Sequence, residues 1–256
     1  MSALNTQAAA EKLVLTGSST IAPLAMEIGK RFSQLYPDIR VDVQTGGSSR
    51  GVADARTGLN DIGMASRALK SDELDLMPFT IAMDGVAIII HKDNPIAALS
   101  TAQIKAIYTG EITDWAQING TAGNITVVHK AAGHSTLELF LAFFNLKNSQ
   151  IKPHIIIGDN QQGIKTVAGN RNSIGYVSIG TAEYEINHNT PIKLLPIAGV
   201  SASTENVTNG TFKLSRPLNL ITSGEPSPLA KRFIAFAQSL QINDLIQAQY
   251  FVPIAH

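Results

Sequence analysis

The order of sequence patterns predicts an α/β protein, and three observations carry that expectation. Short apolar runs alternate with helix-period segments. Three of those runs end in a small, hydroxyl-rich turn that opens a helix. No internal repeat or low-complexity tract interrupts the alternation. Residues 12–15 read as a first strand, followed by Thr16-Gly17-Ser18-Ser19-Thr20 and a helix. Pro23 suits the first turn of that helix, and Leu24, Ile28 and Phe32 form its apolar stripe. Residues 40–44 alternate, with Val41 and Val43 on one face, and enter Gly46-Gly47-Ser48-Ser49; the short helix after them stops at Gly58. Residues 61–65 form a third strand ending at Ser66-Arg67.

Gly85 to His91 reads as a buried strand. Ser100 opens the next helix as a capping box with Gln103, with Leu99 and Ile104 as the hydrophobic staple, and Gly110 closes it. The strand at 125–128 leads through Lys130-Ala131-Ala132-Gly133-His134-Ser135-Thr136 into a helix with Leu137, Phe140, Leu141 and Phe144 on one face. Residues 155–158, 174–178, 193–197 and 216–222 are further strands, 201–210 is a polar loop, and Ser227-Pro228 starts a closing helix pair. Trp115 and the Phe140, Phe143, Phe144 group read as packing. Asp61 and Asp84 read as strand-end or turn residues, and 187–190 and 206–211 as exposed loops.

Composition narrows the function. The chain has 256 residues, long enough for two cores. Lys+Arg and Asp+Glu both number 20, so the net charge is zero, which argues against nucleic-acid or membrane-surface partners. No apolar run reaches the ~18 residues of a membrane span, and the apolar content of 44% with only 16% charged residues excludes disorder. The absence of cysteine removes disulfide scaffolds, thiolate metal sites and thiol nucleophiles. His91, His129, His134, His154, His188 and His256 show no metal-binding spacing, so neither metal nor cofactor is expected. Residues 1–10 lack the basic and apolar regions of a signal peptide, as would either a cytosolic start or a mature secreted chain led by Met.

The chemistry lies in the three turns. A helix N-terminus offers unpaired N–H groups and partial positive charge. Small residues let a ligand approach the backbone, and hydroxyls add donors, so an anion is the natural occupant. Arg67 and Lys130, at or just beyond strand ends, add cations. Many neutral donors and two cations suit a small oxyanion held mainly by hydrogen bonds. Ser, Thr and Gly at such turns are also common for purely structural reasons, and a single turn of this kind would say little.

These residues carry a family resemblance. Thr16-Gly17-Ser18-Ser19-Thr20 with Pro23 resembles the opening motif of the phosphate-binding proteins of bacterial ABC phosphate importers. Gly46-Gly47-Ser48-Ser49-Arg50-Gly51, Asp61-Ile62-Gly63-Met64-Ala65-Ser66-Arg67, Asp84-Gly85-Val86-Ala87, Asn94-Pro95, Tyr108-Thr109-Gly110-Glu111-Ile112-Thr113-Asp114-Trp115, Ser173-Ile174-Gly175-Tyr176-Val177 and Arg216-Pro217-Leu218 follow in the family's order, from Leu13 to Ile254. The resemblance implies a two-lobed periplasmic-binding-protein fold of type II, with two crossover strands and the ligand in the cleft between lobes. It implies lobe 1 from 1–88 and 195–256 and lobe 2 from 89–194. It also implies inorganic phosphate as ligand, an ABC permease as partner, a monomeric non-enzymatic receptor and a periplasmic or extracytoplasmic location. The ligand contacts it implies are Ser19, Thr20, Ile21, Ser48, Ser49, Ser66, Arg67, Lys130, His134, Ser135 and Thr136.

The last stretch departs from the family pattern. Lys130 stands in place of Arg, exchanging a planar fork for a point charge; His134 stands in place of Ser and Ser135 in place of Gly. Arg67 occupies a position where some relatives carry an acid able to accept the proton of hydrogen phosphate, which leaves the choice between phosphate and sulfate open. His134 is expected to face the cleft and to lower affinity as pH rises through its pKa. Two alternatives remain. One is the same fold serving another oxyanion, sensing or adhesion. The other is a serine hydrolase or phosphatase built on Gly133-His134-Ser135, although neighbours on one turn rarely face each other.

Overall fold

The computed structural model describes residues 11–254; the stretch 1–10 on which the signal-peptide reading rests, and His256, lie outside the described residues. The chain alternates as expected: β1 (Glu11–Gly17), α1 (Ala22–Leu35), β2 (Ile39–Thr45), α2 (Ser48–Thr57) and β3 (Ile62–Ala65) come first. β4 (Leu76–His91), α3 (Thr101–Thr109), β5 (Thr126–Lys130), α4 (Ser135–Phe144), β6 (Ile155–Ile157), α5 (Asn160–Gly169), β7 (Ser173–Ser178) and α6 (Ile179–Asn187) form the middle. β8 (Ile192–Leu195), α7 (Thr204–Thr208), β9 (Ser215–Ser223), α8 (Pro228–Ala237), α9 (Asn243–Ala248) and β10 (Val252–Pro253) complete it.

One continuous sheet joins two halves in the order β2-β1-β3-β9-β4-β7-β5-β6, with β8 and β10 also on β4. β4 is common to both. From Leu76 to Gly85 it pairs antiparallel with β9, and from Val86 onward it pairs with β7 and β8. The expected strand covers only the second of these stretches, because Pro78 and Asp84 break the apolar pattern of the first.

Two buried clusters define two lobes. Leu15, Leu24, Phe32, Leu220 and Phe233 belong to the first, and Ile88, Trp115, Phe140, Tyr176 and Phe212 to the second. The chain passes from one to the other between Ala82 and Val86 and returns between Leu214 and Leu218. The first passage lies near the break expected at 88. The second lies well beyond the one expected at 195, because Ile197, Ala202, Val207, Phe212 and Leu214 all pack with the second cluster.

Local signals account for most elements. Ser100 accepts from the Gln103 N–H while the Gln103 side chain returns to the Ser100 N–H, and Gly110 ends the helix at φ 81°. The polar stretch at 201–210 is not wholly loop. Ser203 caps the short α7 by accepting from the Asn206 N–H, and Val207 turns inward. A single capped turn carries too little apolar periodicity to be read from sequence.

Phe140 is fully buried and stacks on Tyr176 with ring centroids 4.1 Å apart. Phe140→Ala is expected to lower unfolding stability by ~3–5 kcal/mol. Urea denaturation checks this. Trp115 fluorescence reports on the affected lobe, because it is the chain's one tryptophan and is buried there.

Candidate anion-binding site

The turns before α1, α2 and α4 meet at the seam between the lobes. Ser18, Ser19, Thr20, Gly47, Ser48, Ser66, His134, Ser135 and Thr136 line a small cavity too tight to admit a water molecule. A fourth turn of the same kind, Gly158-Asp159-Asn160 before α5, joins it through Asn160, whose Nδ2 donates to Thr20 Oγ1 at 3.1 Å.

Glycine lets the first lobe approach the second. Gly47 has φ 88°, and a Cβ there would fall 2.6 Å from the Gly133 carbonyl oxygen. Two residues on, the Ser49 N–H donates to that same oxygen at 3.1 Å. No side chain fits between the two backbones.

Hydroxyls form the wall. Ser18 Oγ donates to Ser66 Oγ at 2.8 Å, and Ser66 Oγ lies 2.6 Å from Ser135 Oγ. The N–H groups of Thr20 and Ile21 donate to Ser18 Oγ, and that of Ser66 donates to Ser48 Oγ. Each of these contacts is one that an oxyanion can replace with its own oxygens.

Arg216 is the floor. The residue is 1% exposed, and its guanidinium donates to Thr136 Oγ1 at 3.0 Å, Ser135 Oγ at 3.4 Å, Ser66 Oγ at 3.5 Å and Thr20 Oγ1 at 3.3 Å. Nε and Nη2 also hold Asp84 Oδ2 at 3.1 and 2.8 Å, while Asp84 Oδ1 accepts from the Gly180 N–H. One buried ion pair therefore reaches residues from both lobes.

Lys130 is the second buried cation. It is 2% exposed, and its Nζ donates to Asn160 Oδ1 at 3.2 Å. Burial pushes the amine down to about 7, with Asp159 opposing and Arg216 reinforcing the shift. Burial, with Lys130 beside it, also lowers the pKa of His134.

Of the residues singled out from sequence, Ser19, Thr20, Ser48, Ser66, His134, Ser135 and Thr136 line the cavity. Ile21 contributes its N–H, and its side chain lies in the first core. Lys130 reaches the site through Asn160. Ser49 and Arg67 lie elsewhere, on the seam. The Arg67 guanidinium grips Glu73 at 2.5 and 2.8 Å and pairs with Glu138 of the other lobe at 2.8 Å. Burial opposes this charge, but Glu73 and Glu138 overcome it and raise the pKa of Arg67. Glu138 also takes Lys70 at 2.9 Å and a donation from Ser49 Oγ.

The sequence reading missed Ser18, Asp84, Asn160 and Arg216 as site residues. Asn160 was within reach, because Ile155-Ile156-Ile157 followed by Gly158-Asp159-Asn160 repeats the strand–turn–helix unit. Arg216 stood in a stretch matched to the family, but an arginine at a strand start carries no local sign of burial.

The cage of hydroxyls and helix N-termini between two sheet-based lobes is that of a solute-binding protein. The family model for the PBP superfamily domain matches residues 4–240, and the chain belongs to that family, in which it is PstS-like. It is 26% identical over 258 residues to the phosphate-binding protein PstS of Bacillus subtilis, covering 99% of this chain and 84% of that one. Among solved structures, a phosphate ABC transporter substrate-binding protein from Clostridium perfringens with bound phosphate superposes with a TM-score of 0.88 at 31% identity, covering 96% of this chain and 100% of that one. An ABC-type phosphate transport receptor from Vibrio cholerae superposes with a TM-score of 0.78 at 28% identity, covering 94% and 100%.

Two substitutions separate seam from cage. Gly47→Ala should keep the lobes apart and weaken anion affinity by about tenfold or more, since apparent affinity scales with the closed population. Small-angle scattering in the presence of ligand would show the open shape. Glu138→Gln should weaken affinity several-fold and make it less sensitive to salt; calorimetry at low and high ionic strength compares the two.

Proposed function

We propose that this protein is a non-catalytic receptor that binds inorganic phosphate between its lobes and delivers it to an ABC-type import permease. One observation carries the reading: the interlobe cavity is walled almost wholly by hydroxyls and helix N-termini, with two buried cations behind them. The relatives named for phosphate binding and phosphate transport support the same ligand.

Capture follows from the geometry. Phosphate oxygens displace the hydroxyl-to-hydroxyl contacts among Ser18, Ser66 and Ser135 and accept from these groups, from Thr20, Ser48 and Thr136, and from the N–H groups at 19–21 and 135–136. Arg216, already neutralised by Asp84, supplies directed donors without a large net charge. Lys130 and His134 approach from the second lobe. Ser49 and Arg67 act at one remove, by holding Glu138 and with it the α4 turn. Hinge motion about the β4 and β9 crossovers opens and closes the cleft, and contact with the permease on the extracytoplasmic side favours the open form. The receptor acts as a monomer.

A nucleophilic role for Ser135 has no support. Its Oγ is engaged by Ser66 and Arg216, and no hydrogen bond joins it to His134 among the described residues.

The test is calorimetric titration of phosphate into protein unfolded, stripped of ligand and refolded. Ser135→Ala and Thr136→Ala should each weaken binding by about 10- to 100-fold, as expected for one hydrogen bond to a charged partner. Folded protein that binds no phosphate would overturn the proposal.

A further inference from the structure

Two strands, β4 and β9, carry the chain between the lobes, and β10 lies beside them at the crossing. β10 pairs with β4 through Val252–Met83 and Pro253–Ala82, while β9 pairs with the same two β4 residues through Pro217 and Leu218. A strand has two edges, so β10 covers the one that β9 leaves free. The segment enters from the first lobe. The Phe251 N–H donates to the Ile246 carbonyl oxygen of α9 at 3.0 Å, and Phe251 is buried in the first core. One residue on, Val252 packs in the second core.

The same segment touches α6 and α7 of the second lobe. A Cβ at Gly180, in the first turn of α6, would fall 2.7 Å from the Tyr250 carbonyl oxygen and 2.7 Å from Phe251 Cδ1, so no side chain fits between helix and segment. The Tyr250 carbonyl oxygen accepts from Thr204 Oγ1, at the start of α7, at 3.1 Å. Tyr250 holds φ 55°, where glycine or asparagine is the ordinary choice. Its ring meets that of Tyr184, on α6, edge-on with centroids 6.3 Å apart. A backbone of this kind persists where its surroundings over-determine it, and here the other lobe supplies them.

The first turn of α6 is also tied to the anion cage by two routes. The Gly180 N–H donates to Asp84 Oδ1 at 3.2 Å, and Asp84 Oδ2 holds Arg216. Thr181 Oγ1 accepts from Asn160 Nδ2 at 3.4 Å, and the same amide group donates to Thr20 Oγ1. Tyr250 and Phe251 stand behind both routes, on the side of α6 away from these partners' oxygens.

We infer, on the reading of the cavity as a phosphate site, that residues 250–253 form a non-covalent third crossing between the lobes, which positions the first turn of α6 against the cage and holds the lobes in contact. Gly180 and Phe251 are positioning residues: they act through Asp84 and Asn160. A hinge of two strands turns by backbone rotation within them. With a third strand paired at the same point and packed on α6 and α7, the lobes part only as those contacts are lost. Bound anion and strap therefore favour the same arrangement of the lobes.

The experiment combines calorimetry with inorganic phosphate, release of labelled phosphate after dilution, and amide exchange without ligand. Phe251→Ala removes the ring from Gly180; Gly180→Ala keeps the ring and drives the segment away. Each should weaken phosphate affinity by about tenfold, nearly all of it through faster release. Both break one contact, so the double variant should lose little more than the weaker-binding single. Each should also speed exchange of the amides at 180 and 181. Phe233→Leu, a first-core change outside the strap, controls for lost stability: it should lower the urea midpoint and leave affinity and those amides unchanged. Folded strap variants that bind and exchange like the unmodified protein, an affinity loss shared by Phe233→Leu, or losses that simply add would each overturn the inference. Unmodified, folded protein that binds no phosphate would instead remove the phosphate reading, and exchange at 180 and 181 would still decide for or against the strap.

Discussion

The Arg216–Asp84 ion pair is the interaction on which the site depends. Both side chains are essentially excluded from solvent, at 0% and 1% side-chain exposure. Such a pair is costly to bury and strongly destabilising to break, since either partner alone would be an uncompensated charge. Its position explains its retention. Asp84 sits where β4 leaves the first lobe, and Arg216 sits where β9 returns to it. The guanidinium then reaches hydroxyls of both lobes at once. Crossover geometry and cavity floor are thus set by one pair, and the hydroxyl wall is oriented by a group that adds almost no net charge to it.

In the proposed receptor, attraction for an anion and attraction between the lobes fall to different residues. The cage uses neutral donors and Lys130. The seam uses Arg67, Lys70 and Glu138, with the Ser49 N–H to Gly133 carbonyl contact beside them. The positive charge of Arg67 is paired with two carboxylates, so the seam is held without adding a further free cation to the two behind the cavity wall. Glu73 is held well charged in this arrangement. Its burial works against that, but the Arg67 guanidinium and the Lys70 N–H outweigh it and lower its pKa.

Much of this was legible in the residues. The turns at 17–20, 46–49 and 133–136 are local signals, written in glycine and hydroxyl side chains within a few positions of each other, and residues from each of them line the cavity. The capping box at Ser100 was legible for the same reason. What escaped was set by distant partners. Arg67 looks like a ligand cation until Glu138, far along the chain, is brought beside it. Arg216 and Asp84 look like an ordinary strand start and turn until the crossover pairs them. The late passage near Leu214 was hidden because residues 196–214 are polar in composition, while a few spaced apolar residues, Ile197, Val207 and Phe212 among them, tie the segment to the second core.

The shared strand has a consequence for assembly. The second lobe is an insertion whose two ends, Gly85 and Ser215, are cross-strand neighbours. The first lobe's sheet therefore stays incomplete until the whole insertion has been made, because β9 lies between β3 and β4 in the sheet. During synthesis the inserted lobe is complete in sequence, apart from Val252, before β9 emerges and closes the other. An inserted lobe already folded by then brings its ends together in advance, and the loop-closure entropy that the β4–β9 pairing would otherwise face has been met within the insertion. The cavity floor, Arg216, is the second residue of that last central strand. The cage thus acquires its organising charge only once both lobes' chain segments are present, and a polypeptide stopped short of β9 exposes an edge of β4 and holds no site.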